Sequence, residues 1–464
     1  MKFKNKKYLK LFIFGAGASL AFAPFYLCVF FFFSLYYLLS EFENCDSIKK
    51  SFFIGWWFGF GYFMGNCYWY CCSLLLEPLK YAWLIPFAIS IIPAYLACYI
   101  GFATFFTYFL VNKYAVKNRF FVTVIFSFFW IFFEYLRGII FTGFPWNLLC
   151  YCLSFSPLLI QTVSLWGCYI FSFFVLTIFT SFWVLRDKKY KMYSLYYIVL
   201  ILFVVVFGFF RLKNAEVNFS AYKIRIVQPN ISIWEKSVLS PKQKLNNLID
   251  ESLNNIEDIK YILWPESALP DYILTYQNNG MADYIGEKIG DKVLITGGIR
   301  VDEYKNKIYN SVFVIDKSGV VDYYDKYNLV PFGEFVPFRK IFPFVNSIAS
   351  NLDLSRAEKR RKMIVVGNNF PTFSPNICYE SIFTSSINRD ADLIINFTND
   401  FWFGKTSGPY QHFDVLRFRA LENAIPAVRV ANSGISAVID KYGRVIKKTK
   451  LGESAVLDIN IPLK

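Results

Sequence analysis

"FSPNICYESIF", Phe373–Phe383, decides how the rest of the chain is read. It holds a single cysteine, Cys378, with Tyr379 and Glu380 directly after it. The chain has ten cysteines, and nine of them lie between Cys28 and Cys168, in a strongly apolar first half. Cys378 alone belongs to the polar second half. Two readings are open for it. One is a small buried hydrophobe, the ordinary fate of a cysteine outside a disulfide. The other is a thiol kept for chemistry.

The compartment bears on that choice, and the first half fixes the compartment. The chain of 464 residues is 55% hydrophobic and 21% aromatic, with 54 Phe. Its mean hydropathy of +0.36 is too high for an ordinary soluble protein. The excess is confined to residues 9–212, nearly continuous apolar runs broken by short basic loops. Residues 213–464 read as one soluble domain of ordinary size. The division is therefore a transmembrane domain over 1–212 and a soluble α/β domain over 213–464.

A crossing helix needs roughly 20 apolar residues. The runs place about seven helices near 11–24, 26–40, 53–75, 82–111, 120–137, 156–185 and 193–210. The first two are short, and 11–40 reads either as one long span or as a hairpin at "FAPF" (Phe22–Phe25). Loop charge arbitrates, because cytoplasmic loops collect Lys and Arg. With the hairpin, one side gathers Lys2, Lys4, Lys6, Lys7 and Lys10, then Lys49 and Lys50, then Lys113, Lys117 and Arg119, then Arg186, Lys188, Lys189 and Lys191. The other side holds Lys80, Arg137, Arg211 and Lys213. This predicts seven spans, a cytoplasmic N-terminus and a soluble domain on the outer face. The basic "MKFKNKKYLK" is then a flank of a retained span, not a cleaved address.

An outer-face domain sits in an oxidising compartment, where structural cysteines pair. Cys378 has no second cysteine in its own domain, which favours the chemical reading. A thiolate needs a base or a cation nearby. The single histidine, His412, lies at the start of a helical pattern and reads as packing. Glu266, in "WPESALP" at the end of a strand-like run, stands where layered α/β domains often carry active groups. Lys326 and Glu334 follow in "DKYNLVPFGEFVPFRK".

Some classes are excluded. The net charge of +15 is partly the topology signal, and no nucleic-acid motif accompanies it. Cys67, Cys71 and Cys72 lie on an apolar span without His or carboxylate neighbours, so no metal site is argued, and no cofactor motif is present. The spans carry few internal charges, which argues against a transporter.

Glu266, Lys326 sixty residues later and Cys378 fifty-two after that resemble the Glu–Lys–Cys order of the nitrilase, or carbon–nitrogen hydrolase, superfamily. The resemblance implies an αββα sandwich. Strand patterns at 223–229, 261–265, 292–301, 308–316, 320–326, 373–379, 392–397, 427–432 and 435–440 fit it. So do helical patterns at 238–257, 278–289, 380–388 and 409–424. With the first half included, the chain resembles the apolipoprotein N-acyltransferases. The matching motifs include "GAGASLAFAPF", "EYLRGIIFTGFPWN", "NICYESIF", "NFTNDFWFG" and "ENAIPAVRVANSG". That family typically has a further span after the soluble domain, whereas the last residues of this chain read "AVLDINIPLK".

The resemblance implies a bacterial inner-membrane enzyme with its catalytic domain in the periplasm. Cys378 would take an acyl chain from a phospholipid as a thioester and pass it to the N-terminal amine of a diacylated apolipoprotein. It implies Glu266 as base and Lys326 as oxyanion partner. Glu334 and Glu380 would support the lysine, and Tyr379 would shape the acyl pocket. Trp402, Phe403, Phe335, Phe338 and Arg137 are candidate lipid contacts, the first four in aromatic loops suited to a bilayer interface. A monomer without a cofactor is expected, with membrane lipid and lipoprotein as partners and no nucleic acid. Two alternatives stay open: a membrane-tethered amidase or nitrilase, and a non-catalytic lipoprotein-binding module.

Overall fold

The computed structural model describes residues 4–231, 239–274, 280–337, 339, 353–360, 362–367 and 370–464. The chain forms two compact units. One is the chain up to Ala215 together with Trp402–Asp414, and the other is Glu216–Phe401 with Val415–Lys464.

The first unit is helical. Its longer helices are α1 (Lys4–Ala18), α2 (Val29–Glu43), α3 (Ile48–Cys67), α4 (Ile85–Lys113), α5 (Arg119–Arg137), α6 (Val163–Phe179) and α7 (Ser194–Lys213). Among the described residues, four stretches are long and apolar enough to cross a bilayer: Pro78–Lys113, Arg119–Arg137, Val163–Leu185 and Lys188–Lys213. Helices α1 and α2 have 15 residues each, about 22 Å of rise, short of a hydrocarbon core about 30 Å thick.

The chain reverses between α1 and α2, where the Phe22 carbonyl accepts from the Phe25 and Tyr26 N–H groups at 3.0 and 3.1 Å. The two helices pack as a hairpin, with the Phe14 ring stacked on Tyr37 at 4.5 Å and Ser34 Oγ donating to the Phe14 carbonyl at 2.7 Å. Helix α3 lies so close to α1 that a Cβ on Gly61 would collide with the Phe12 carbonyl. Close approach through small residues is the usual way apolar helices associate in a bilayer. The expected span over 53–75 is helical only to Cys67, and Tyr68–Leu75 is 3-10. There the Trp69 indole N–H donates to the Asn66 carbonyl at 2.9 Å, engaging a backbone acceptor at the last turn.

The second unit holds twelve strands among its described residues: β1 (Phe219–Gln228), β2 (Ile259–Leu263), β3 (Tyr272–Leu274), β4 (Val293–Asp302), β5 (Lys307–Asp316), β6 (Gly319–Asp325), β7 (Phe373–Ile377), β8 (Leu393–Thr398), β9 (Ala427–Ala431), β10 (Ala437–Ile439), β11 (Val445–Lys448) and β12 (Ala455–Pro462). One sheet runs β12-β1-β2-β4-β5-β6, with β3 paired to β4, and the second runs β11-β10-β9-β8-β7. Inward residues of both sheets share one core, including Ile226, Leu263 and Val312 from the first and Ile377, Ile395 and Val428 from the second.

Helices α8 (Pro241–Leu253) and α9 (Gly280–Ile289) cover the outer face of the larger sheet through Leu245, Leu248, Ile249, Ile285 and Ile289. Helix α8 opens on a capping box between Ser240 and Gln243, which satisfies two N-terminal donors. Helix α10 (Ser407–Asn423) reaches the β10–β11 turn, where Arg417 Nε donates to the Gly443 carbonyl at 3.1 Å. This is the expected αββα sandwich.

Three strands were not expected, β3, β11 and β12. The helix expected over 380–388 is instead two 3-10 turns, Cys378–Ile382 and Thr384–Ser386. Cys378 has φ +48°, and the left-handed conformation of a non-glycine residue prevents a regular helix from starting there.

Candidate active site

Cys378 sits where β7 ends. Its left-handed backbone is a strained conformation, which persists only where the surroundings impose it and which clusters at active sites. Cys378 is buried and forms no disulfide. Burial and then the Glu266 carboxylate push its thiol well above the ordinary value, with Asp400 adding to the push, while Lys326 and the Thr398 hydroxyl pull the other way.

Glu266 follows β2 on a loop pressed against β4. A Cβ on Gly297 would stand 2.6 Å from Glu266 Cα, so only glycine admits the loop. The Gly297 N–H donates to the Pro265 carbonyl at 3.1 Å, and its own carbonyl accepts from Ala268 and Leu269. The Glu266 carboxylate then accepts from Asn310 Nδ2 and from the Asn399 N–H, each at 2.9 Å.

Lys326 leaves the end of β6, and its backbone N–H is fixed by the Asn310 carbonyl at 2.8 Å. Its side chain is 1% exposed, with Nζ 2.9 Å from Glu334 Oε1 and 3.5 Å from Glu266 Oε1. Burial opposes the charge, but Glu334 and then Glu266 outweigh it and hold the ammonium above the usual lysine value. Glu334 also accepts from Asn310 Nδ2 at 2.8 Å and from the Val330 N–H at 2.8 Å.

Glu380, fully inside, accepts from the Tyr324 hydroxyl and the N–H groups of Tyr327, Asn328 and Ile377. Burial pushes its carboxyl up, opposed by those donors and by Lys326. Tyr379 is buried, its ring 5.3 Å from Phe383. The structure thus brings Glu266, Lys326, Glu334 and Glu380 together around Cys378. The arrangement supplies a thiol, a carboxylate able to take its proton, and an ammonium held charged where negative charge would develop.

The remaining candidates are elsewhere. Phe335 is half-buried at a turn whose tip, Phe332, is 71% exposed, and the Phe332 N–H donates to the Phe335 carbonyl at 2.7 Å. Phe338 lies outside the described residues. Trp402, Phe403 and Arg137 belong to the helical unit. Trp402 is exposed, whereas Phe403 packs on Trp69 with ring centroids 4.6 Å apart. His412 is fully buried beside Trp146 and Phe403. Arg137 is 2% exposed and donates to the carbonyls of Phe144 and Trp146, closing the turn after α5, with Glu134 at 3.7 Å.

Sequence reasoning missed Asn310, Asn399, Asp400 and Arg429. Asn310 and Arg429 had a legible signal, a polar side chain inside the apolar strand runs "YNSVFVID" and "AVRVA", because such groups are buried only with partners.

Residues 14–181 match the family model for the apolipoprotein N-acyltransferase N-terminal domain, and residues 223–464 match the carbon-nitrogen hydrolase model. An apolipoprotein N-acyltransferase of Rickettsia typhi is 35% identical over 98% of this chain and 91% of its own length. One of Agrobacterium fabrum is 35% identical over 96% of this chain and 88% of its own length. Among solved structures, a nitrilase-superfamily protein of Saccharomyces cerevisiae is similar at 18% identity and a TM-score of 0.41, covering 52% of this chain and 90% of that one. The chain is an acyltransferase of lipoprotein N-acylation, membrane-bound through its apolar helices, and it belongs to the apolipoprotein N-acyltransferase family.

Proposed function

We propose that the chain moves one acyl chain from a phospholipid to the N-terminal amine of a diacylglyceryl-cysteine apolipoprotein, by way of a thioester on Cys378. Glu266 takes the thiol proton as sulfur attacks the ester carbonyl. Lys326 stabilises the oxyanion, and a lysophospholipid leaves. The lipoprotein amine then attacks the thioester, and Glu266 accepts its proton. Two half-reactions on one nucleophile give ping-pong kinetics. Glu334 and Glu380 keep Lys326 placed and charged, and Tyr379 borders the acyl chain.

The observation that carries this reading is the buried Lys326 ammonium shared between Glu266 and Glu334, beside a strained cysteine. A neutral amine there would be a weak oxyanion partner, and the two carboxylates hold the proton on.

The enzyme works as a monomer in the bacterial inner membrane, its N-terminus cytoplasmic and its catalytic domain periplasmic. The fourteen basic residues gathered on one side of the seven expected spans support that orientation. Trp402, Phe403, Phe335 and Phe338 are the proposed lipid contacts, and the exposed Phe332 joins them, whereas the buried Arg137 is turned to backbone carbonyls and leaves that set.

The test is intact mass after incubation with phospholipid vesicles alone. A gain of one acyl unit is expected, absent in Cys378→Ser and removed by hydroxylamine. An unmodified wild-type protein, or an acyl group that survives in Cys378→Ser, refutes the reading.

A further inference from the structure

Three parallel strands end side by side at the nucleophile. In register, Ile377 of β7 faces Phe397 of β8, and Phe397 faces Val430 of β9. Cys378 is the first residue past β7, Asn399 the first past β8 and Asn432 the first past β9. Active groups collect at such carboxyl ends of parallel strands. Both asparagines are buried, and no step of the transfer uses either side chain.

Buried polar groups need partners, and those of Asn432 lead to the base. Its side-chain amide pairs with the Ile231 backbone in both directions, accepting from the N–H and donating to the carbonyl, each at 2.9 Å. Its own carbonyl accepts from the Asn230 N–H at 3.0 Å, and its N–H donates to the Thr398 carbonyl at 3.1 Å. With the amide fixed at both ends, Nδ2 also donates to Asn399 Oδ1 at 3.2 Å. The turn that follows Asn399, Asp400–Phe403, is anchored too, because Asp400 pairs with the buried Arg429 of β9 at 2.7 Å. The Asn399 N–H is left to donate to Glu266 Oε2 at 2.9 Å.

The two oxygens of Glu266 are loaded unequally. Oε1 meets both Asn310 Nδ2 at 2.9 Å and Lys326 Nζ at 3.5 Å. Among the described residues, Oε2 meets the Asn399 N–H alone. A carboxylate oxygen offers two lone pairs, so Oε2 keeps one for a proton.

We propose that Asn399 and Asn432 are positioning residues for the base: Asn432 fixes the Asn399 side chain, and the Asn399 N–H aims Glu266 Oε2 as the oxygen that takes the Cys378 proton. This rests on the reading of Cys378 as nucleophile and Glu266 as base. Neither side chain is charged, so neutral substitutions at the two positions leave every charge around the sulfur in place.

The experiment is single-turnover acylation of Cys378 by p-nitrophenyl butyrate, on the full chain in detergent, with the nitrophenolate read optically. The sulfur–carbon bond forms, the ester C–O bond breaks, and the thiol proton passes to Glu266. An activated ester needs no lipid recognition, so the result does not depend on the natural donor. Asn432→Leu keeps the shape and removes the amide. It is expected to lower the maximal rate about 10–100-fold at an unchanged half-saturating ester concentration, because a displacement near 1 Å at the reacting groups can cost about 100-fold. Asn399→Ala keeps the backbone N–H, removes Oδ1 and is expected to lose about as much. The double variant should match the slower single within about threefold, because both act through one link. General damage to the fold would instead multiply the two losses.

A wild-type maximal rate in a folded Asn432→Leu, or losses that multiply, overturns the proposal. If Asn432→Leu does not fold, Asn399→Ala decides alone, and an unchanged maximal rate overturns it. Acylation by phospholipid is scored separately. A wild-type protein that takes the butyryl group with this dependence, yet takes no acyl chain from phospholipid, refutes the transfer reading and leaves this one standing. A Cys378 that the ester does not acylate refutes both.

Discussion

Lys326 Nζ lies 2.9 Å from Glu334 Oε1, and the lysine side chain is 1% exposed. The contact favours a cation in a place where burial opposes its charge. Lys326→Met removes the cation and leaves Glu266 and Glu334 sharing one amide donor. Breaking a buried pair from one side costs about 3–5 kcal/mol, so the melting temperature should fall. Acyl transfer should fall about 10²–10³-fold, the usual cost of losing one oxyanion donor. A variant within threefold of wild type in turnover would remove Lys326 from the mechanism.

Asn310 is the shared donor, its Nδ2 at 2.9 Å from Glu266 and 2.8 Å from Glu334. Asn310→Leu deletes both hydrogen bonds, each worth about 1.5–3 kcal/mol when the acceptor is charged. Stability and turnover should both drop. In a double-mutant cycle, Asn310→Leu combined with Glu334→Gln should cost less than the sum of the two, because the sites touch. Strict additivity would show that the amide does not couple the carboxylates.

Gly297→Ala puts a methyl 2.6 Å from Glu266 Cα. The loop must shift, at about 1–3 kcal/mol for an overpacked interior. A displacement near 1 Å at a catalytic base can cost about 100-fold. The loss in turnover should therefore exceed the loss in stability when both are expressed as free energies, and turnover plus thermal melting on the same preparation checks it.

The pH dependence follows from the Cys378 thiol, held above its usual 9.0 by burial and by Glu266. Alkylation of Cys378 should rise about tenfold per pH unit across about pH 7–9 with no plateau, where an ordinary thiol begins to level off. The sign for stability is that of a raised folded value. The neutral thiol's contribution is full below the unfolded pKa and is lost as pH rises through the folded one. The melting temperature of wild type relative to Cys378→Ala should thus be flat in the neutral range and decline in alkali. A plateau below pH 9 in alkylation contradicts the burial argument.

Much of the fold was legible because it rests on period and composition. The apolar runs before residue 213 marked the helices, and nine strand patterns of the sandwich fell on observed strands. The misses have physical causes. Strand β12 pairs with β1 across more than two hundred residues, and nothing local in "AVLDINIP" announces that partner. The helix expected over 380–388 failed because the backbone at Cys378 is left-handed, a conformation set by the strand end and the turn after it. The placement of Trp402–Asp414 with the helical unit was equally invisible. It depends on Phe403 meeting Trp69, and on Asp414 accepting from the Tyr26 hydroxyl at 2.8 Å.

By itself the sequence determined which side chains are proposed to carry the chemistry: a thiol, a carboxylate and an amine in fixed order, in a domain joined to apolar helices. Only the tertiary structure decided how burial and neighbouring charge bear on the thiol and the amine. Asn310, Glu334, Asp400 and Arg429 come from separate strands and loops, and they surround the reacting groups once two sheets have closed. The reason is that charge interactions act through space at a few ångströms while the chain separates these residues by tens, so the electrostatic surroundings of the thiol and the amine are a property of the packed sandwich that composition cannot express.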